Sequence, residues 1–137
     1  MATLFHTFLA FKKDIVYGLS AEGLKFSQPK ILYHIYTHPG CQQKDVAESC
    51  YLETATLSSV LRNLEERQLI KREQDEKDKR AYKIYTTEES KKYIEIINNQ
   101  LNKTVDKAFD GFTKKEVDQV YAYLDRIYNN LNKANQE

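Results

Sequence analysis

The sequence predicts a mainly α fold with a small β wing, and three observations carry that expectation. Leu57, Val60, Leu61 and Leu64 recur at i, i+3, i+4 and i+7 within about 54–67, which is the apolar stripe of an amphipathic helix. Beyond Gln68 the period changes. Leu69–Glu73 and Ala81–Tyr85 are short runs with β-branched or aromatic residues, set either side of the charged stretch Gln74-Asp75-Glu76-Lys77-Asp78-Lys79-Arg80, as in two strands joined at a polar tip. From 87 to 135 the helical period returns in two long segments.

The elements follow in order. Phe5, Phe8, Leu9, Ile15, Val16 and Leu19 hold a helical stripe, so a first helix is expected over Thr3–Leu19, its aromatic face packed in a core; Gly18 and Gly23 then bracket a loop. Ser27-Gln28-Pro29 starts a second helix, with Ser27 as N-cap and proline in the first turn, where its missing N–H has no helical partner. Ile31, Leu32, Ile35 and Tyr36 form its buried face, and His38-Pro39-Gly40 ends it. A short third helix runs from Gln42 or Gln43 to Ser49 with Val46, Ala47 and Cys50 inward. Tyr51-Leu52-Glu53 is a turn into the helix at 54–67, whose outer face carries Thr56, Ser59, Arg62, Asn63 and Glu66. Two short helices joined this closely, the second with a polar face, fit a helix-turn-helix, although the turn lacks the usual glycine.

After the hairpin, Thr86-x-x-Glu89 reads as a capping box opening a helix to about Phe109, roughly 35 Å long at about 1.5 Å per residue. Asp110-Gly111-Phe112 breaks it. Thr113-x-x-Glu116 is a second capping box, and Val117, Val120, Tyr121, Leu124, Ile127, Tyr128 and Leu131 give the last helix its stripe. So much apolar helix exceeds what a small wing domain can cover. The terminal helices are expected to pack on each other and, two-fold, on a second copy of the chain, the commonest symmetry of oligomers.

Composition sets the limits. At 137 residues, 41% hydrophobic and 30% charged, one domain is expected. No run of about 18 apolar residues suggests a membrane span, and the start Met-Ala-Thr-Leu-Phe-His lacks a secretory signal, so a cytoplasmic location is expected. Net charge is only +1, so any footprint for nucleic acid must be local.

The order of elements, together with specific segments, resembles the MarR family of bacterial winged-helix transcription regulators. Those segments are Ser27-Gln28-Pro29-Lys30-Ile31-Leu32, Gln43-Lys44-Asp45-Val46-Ala47-Glu48, Val60–Arg67, Leu69-Ile70-Lys71-Arg72, Asp78-Lys79-Arg80 and Thr86-Thr87-Glu88. The family usually has glycine where Gln68 stands. The resemblance implies one MarR-like domain over 1–137, with a winged helix-turn-helix core at 27–86 and dimerisation helices at 1–20 and 87–135. It implies a homodimeric repressor on a palindromic operator in double-stranded DNA. The helix at 54–67 would enter the major groove, which alone distinguishes all four base pairs, and the wing at 71–85 the minor groove.

On that reading, Thr54, Thr56, Ser58 and Ser59 contact base edges or phosphates, unless the Ser58 hydroxyl bonds locally. Arg62 and Asn63 reach bases or backbone. Gln42, Gln43 and Lys44 open a helix whose N–H groups favour phosphate. In the wing, Arg72, Lys77, Lys79 and above all Arg80 contact DNA, and Asp78 pairs with Arg72 or Arg80 to hold the tip. The acids interleaved there also suit a rival reading: a winged-helix protein-interaction module without specific DNA binding. From Arg62 to Lys83 there are eight Lys or Arg against six Asp or Glu.

Family members often sense small phenolic or lipophilic molecules. Ten Tyr and six Phe would accommodate such an effector, but core and interface packing accounts for them equally. A member that senses nothing fits the sequence too. Cys41 and Cys50 are the candidate redox residues, Cys41 exposed after the Pro-Gly break and Cys50 buried. His34 and His38 stand at i, i+4 near Cys41, yet a zinc site needs three or four ligands and no fourth is evident; no metal and no cofactor are expected. No phosphate loop, His-Glu-x-x-His or serine nucleophile motif points to an enzyme.

Overall fold

In the computed structural model, which describes residues 2–24 and 27–134, the elements appear in the expected order. They are α1 (Ala2–Ser20), α2 (Gln28–Thr37), α3 (Gln43–Cys50), α4 (Thr54–Glu66), β1 (Ile70–Gln74), β2 (Tyr82–Thr86), α5 (Lys91–Ala108) and α6 (Lys114–Ala134). Asn135, the last residue of the expected terminal helix, lies outside the described residues. Contacts divide the chain into a unit of residues 1–104 and one of 105–137.

The first unit has one core. Leu57, Leu61 and Leu64 of α4 are fully buried, with Ile31, Leu32 and Ile35 of α2, Val46 of α3 and Ile84 of β2. Cys50, Leu69, Ile70, Leu19, Leu24, Ile94 and Ile97 complete it. The strands are antiparallel, with Arg72 opposite Ile84 and Gln74 opposite Tyr82. Cys41 forms an isolated antiparallel bridge to Ile84. Its carbonyl accepts from the Ile84 N–H at 2.9 Å, and the Gly40 N–H donates to the Ile84 carbonyl at 2.9 Å. Gly40 has φ +81°, and a β-carbon there would press on the Tyr85 hydroxyl.

Both helix ends flanking the recognition segment close in the same way. The Leu69 N–H bonds the Leu64 carbonyl and the Gln68 N–H the Glu65 carbonyl, each at 2.9 Å, the paired bonds of a Schellman cap. Gln68 takes φ +59° to make them. At the end of α3, Leu52 bonds Ala47 and Tyr51 bonds Glu48, with Tyr51 at φ +53°. The missing glycines are therefore replaced by strained side chains, not by a different helix end. A left-handed residue with a β-carbon costs roughly 1–2 kcal/mol, offset in glycine by about 0.5–1 kcal/mol of chain entropy. Gln68→Gly is accordingly expected to raise the unfolding free energy by about 0.5–1 kcal/mol in urea titrations. A loss of stability would contradict the strain.

Several expectations are corrected. Gly18 lies inside α1 rather than in a loop; a β-carbon there would collide with the Gln100 side chain of α5, so this glycine permits a close helix crossing. Close to that crossing, Thr104 is buried, donating to Asp14 Oδ2 at 2.9 Å and accepting from Gln100 Nε2 at 3.2 Å. Ser27 precedes α2 in helical conformation and caps only with its carbonyl, which Ile31 N–H reaches at 3.1 Å. Tyr36 is exposed. The start of α5 is a 3₁₀ turn, Glu88–Ser90, with Thr87 before it rather than a box on Thr86, which stays in β2. The Thr87 hydroxyl donates to the Gln68 carbonyl, tying the wing exit to the end of α4. The aromatic face of α1 is not core: Leu4, Phe5, Phe8 and Leu9 are exposed in the single chain.

In the second unit Gly111 turns the chain at φ +80°. The expected box is made: Thr113 N–H donates to Glu116 Oε2 at 2.8 Å and Glu116 N–H to Thr113 Oγ1 at 3.3 Å. The Thr113 N–H, and then the Thr113 hydroxyl donating to the same Oε2 at 2.8 Å, hold the Glu116 carboxyl below its ordinary pKa. Phe109 packs on Phe112 and Tyr121, with centroids 5.5 and 5.6 Å away. Tyr121, Leu124, Ile127, Tyr128 and Leu131 remain exposed along α6.

Candidate nucleic-acid interface

The turn Tyr51–Glu53 delivers α4 from α3 with its apolar stripe on the core, so the opposite row faces out. Thr54, Thr56, Ser59, Arg62 and Asn63 are all exposed. Ser58 is not part of that row. It is half-buried and its Oγ accepts from Gln43 Nε2 at 2.7 Å, a brace between α3 and α4. That bond engages the Gln43 amide nitrogen and one Ser58 lone pair before any partner arrives. At the start of α3, the Gln42 N–H is already taken by Asp45 Oδ2 at 2.9 Å, so one of the N–H groups expected to meet phosphate is occupied. Lys44 is exposed, 4.0 Å from Glu48.

The wing root and the start of α3 meet. Gln42, Gln43, Lys44, Arg72, Arg80, Ala81, Tyr82 and Ile84 line a cleft of about 260 Å³, placing three cations around the opening of one helix. The Ile84–Cys41 bridge makes this geometry, because it fastens the returning strand to the residue just before α3. Arg72 Nε lies 3.3 Å from Glu65 Oε2, within ion-pair range but misaligned for a hydrogen bond. A second, open hollow is bordered by Ser27 and by Ala55, Thr56, Ser59 and Val60 of α4.

The tip is organised differently from expectation. Asp78 Oδ1 accepts the Arg80 backbone N–H at 3.0 Å; Arg72 pairs with Glu65, so Asp78 sets the loop and not a guanidinium. Asp75, which the sequence reading missed, does more. Its Oδ1 accepts the Lys77 and Asp78 N–H groups at 2.8 and 3.2 Å, its N–H reaches the Ala81 carbonyl, and Lys83 Nζ stands 3.6 Å from Oδ2. An aspartate bonding the N–H two residues on is a turn signal that was legible in Asp75-Glu76-Lys77. Gln74 Nε2 also donates to the Lys79 carbonyl at 2.6 Å. Lys77, Lys79 and Arg80 consequently project from a braced loop with exposed side chains.

The Lys77 N–H, then the Asp78 N–H, lowers the Asp75 pKa. A depressed folded pKa means its contribution is present above the unfolded value and is lost as pH falls through the carboxylate range. The amide shifts of Lys77 and Asp78 are expected to titrate together there, which heteronuclear NMR reads; flat shifts would contradict the tip geometry.

Two further residues escaped the sequence. Lys30 Nζ donates to the Cys50 carbonyl at 2.6 Å, closing the end of α3. Gln28 Nε2 donates to Asn63 Oδ1 at 2.7 Å. Cys41 is half-buried rather than exposed, and Cys50 is buried as expected. Burial raises both thiol pKa values, with Asp45 adding to the effect at Cys41 and Lys30 opposing it at Cys50. Both shifts disfavour the thiolate form. The rings of His34 and His38 stack at 4.3 Å, and no cluster of three or more metal-binding side chains occurs among the described residues. Among those residues, no helix is long and apolar enough to cross a membrane.

Two helices joined by a three-residue turn and backed by a β hairpin define a winged helix-turn-helix protein. The MarR family model matches residues 24–82. That segment is a MarR-family domain, as the resemblance implied. The uncharacterized HTH-type transcriptional regulator YybA of Bacillus subtilis is 27% identical over 120 residues, 86% of this chain and 80% of that protein. The crystal structure of MarR superposes with a TM-score of 0.85 at 25% identity, covering 99% of this chain and 92% of that one. An S. aureus MepR–DNA complex gives 0.80 at 25% identity, covering 94% and 96%.

Proposed function

We propose that the chain is a sequence-specific DNA-binding transcriptional regulator: a cytoplasmic homodimeric repressor in which all 137 residues serve as one MarR-like module. The observation that carries this reading is the cleft joining Lys44, Arg72 and Arg80 to the start of α3, beside the exposed polar row of α4. Cations and a helix start around one hollow suit a phosphate; a row of threonine, serine, arginine and asparagine suits base edges. The solved MepR–DNA complex supports the same assignment. Gln42, Gln43, Lys44, Lys77 and Lys79 would fix the backbone, Thr54, Thr56, Ser59, Arg62 and Asn63 would face the major groove, and Arg80 the minor groove. Ser58 contributes through Gln43. Two-fold pairing through the apolar rows of α1 and α6 would set half-sites about 34 Å apart.

Arg80→Ala tests this reading. Its side chain is exposed and only its backbone N–H is used in the tip, so the fold should be unaffected. DNA affinity is expected to fall about tenfold, and the slope of log K against log salt to flatten by about one. Unchanged affinity with an unchanged slope would remove the wing from the interface.

A further inference from the structure

Asn63 stands on the exposed row of α4 together with Thr56 and Ser59, but its amide is not free to turn. Its Oδ1 accepts from Gln28 Nε2 at 2.7 Å, and Gln28 Oε1 in turn accepts from Arg67 Nη1 at 3.4 Å. Arg67 is itself anchored. Nη1 donates to the Gly23 carbonyl at 3.3 Å, and the guanidinium lies 5.5 Å from the Tyr93 ring centroid, a cation–π contact.

The relay has a direction. A guanidinium carries donors only, so whatever atom of Gln28 faces Arg67 must be the carbonyl oxygen. That turns the Gln28 amide nitrogen towards Asn63, and Asn63 must answer with its own carbonyl. Its Nδ2 is left to point outward. An unrestrained asparagine can flip and offer either edge, and the bidentate pair with adenine uses both. From these bonds we infer that Gln28 and Arg67 are positioning residues that fix Asn63 as a hydrogen-bond donor towards DNA. Its partner is then an acceptor: a phosphate oxygen, the O6 or N7 of guanine, the N7 of adenine or the O4 of thymine. Bidentate adenine is disfavoured, because the carbonyl is turned away. This inference rests on the regulator reading and sharpens it.

The test is a double-mutant cycle on the duplex that the wild-type protein selects from a randomised library, read by fluorescence polarisation. Gln28→Glu keeps the shape of residue 28 but accepts from both neighbours, so Asn63 must flip and present its carbonyl outward. Binding is expected to weaken about tenfold, and the same change in an Asn63→Ala background is expected to have almost no effect. Circular dichroism confirms that each variant is folded. An equal loss in both backgrounds would mean that the introduced carboxylate acts only as a general negative charge, and no loss in either would mean that Asn63 makes no oriented contact. Either result overturns the inference while leaving the regulator reading in place. Failure of the wild-type protein to select any duplex would take down the reading itself. Repeating the selection with Gln28→Glu separates the two sources of acceptor: uniform weakening marks a phosphate, a changed preference at one position per half-site marks a base.

Discussion

Ile127→Glu is expected to convert the proposed dimer into a monomer and to weaken operator binding at least a hundredfold. Tyr121, Leu124, Ile127, Tyr128 and Leu131 form a row along α6 with Ile127 41% and Leu131 65% exposed in the single chain. On α1, Leu4, Phe5, Phe8 and Leu9 do the same. A row of large apolar side chains left exposed by the single chain marks an interface. A carboxylate at its middle must be buried unpaired or keep the interface open. Because these side chains face solvent in the isolated chain, the variant should retain its helices. Losing the second half-site removes the avidity of a bivalent contact, typically about 10²–10⁴-fold. Light scattering after size exclusion, with polarisation on a palindromic duplex, reads both effects. A variant that stays dimeric would show that α6 is not the seam, and Phe8→Glu would then test α1 by the same measurements.

Leu61→Ala is expected to cost about 2–5 kcal/mol of stability. Leu61 is fully buried within the core cluster that α4 shares with α2, α3 and both strands. Truncation removes its contacts and leaves a cavity that helices locked at their C-terminal ends by Schellman caps have little freedom to fill. Its neighbour Arg62 is exposed, and Arg62→Ala should stay within about 0.5 kcal/mol while weakening DNA binding. The pair separates the two faces of one helix, with urea titration as the readout. Comparable destabilisation by both variants would mean that the outer row is structural.

Periodicity and local chemistry made much of this legible. The Leu57–Leu61–Leu64 stripe, the change of period at Gln68 and the Thr113–Glu116 box all depend on residues a few positions apart, and each is found where the sequence places it. The polar side of α4 followed from the same stripe. What escaped depends on distant partners. Gln43 reaches Ser58 across 15 positions, and Gln28 reaches Asn63 across 35. No local pattern distinguishes a glutamine braced to another helix from one free to touch DNA. Gly18 looked like a loop residue because its reason, the Gln100 side chain, lies on α5. The α1 aromatics looked like core because a helical stripe says only that a face is covered, not by what. Asp75 differs: its turn signal is local, two residues before the Lys77 N–H that it binds, and Asp78 carries the same chemistry three positions on.

Selection of duplexes from a randomised library by the purified full chain, at about 150 mM salt where specific and non-specific binding separate, distinguishes a sequence-specific regulator from a protein-interaction module. Enrichment of one palindromic sequence is expected, with half-sites about one helical turn apart, bound at nanomolar concentration. Binding that enriches no sequence and vanishes at that salt would contradict it. The exposed face of α4 and the wing would then be surfaces for a protein.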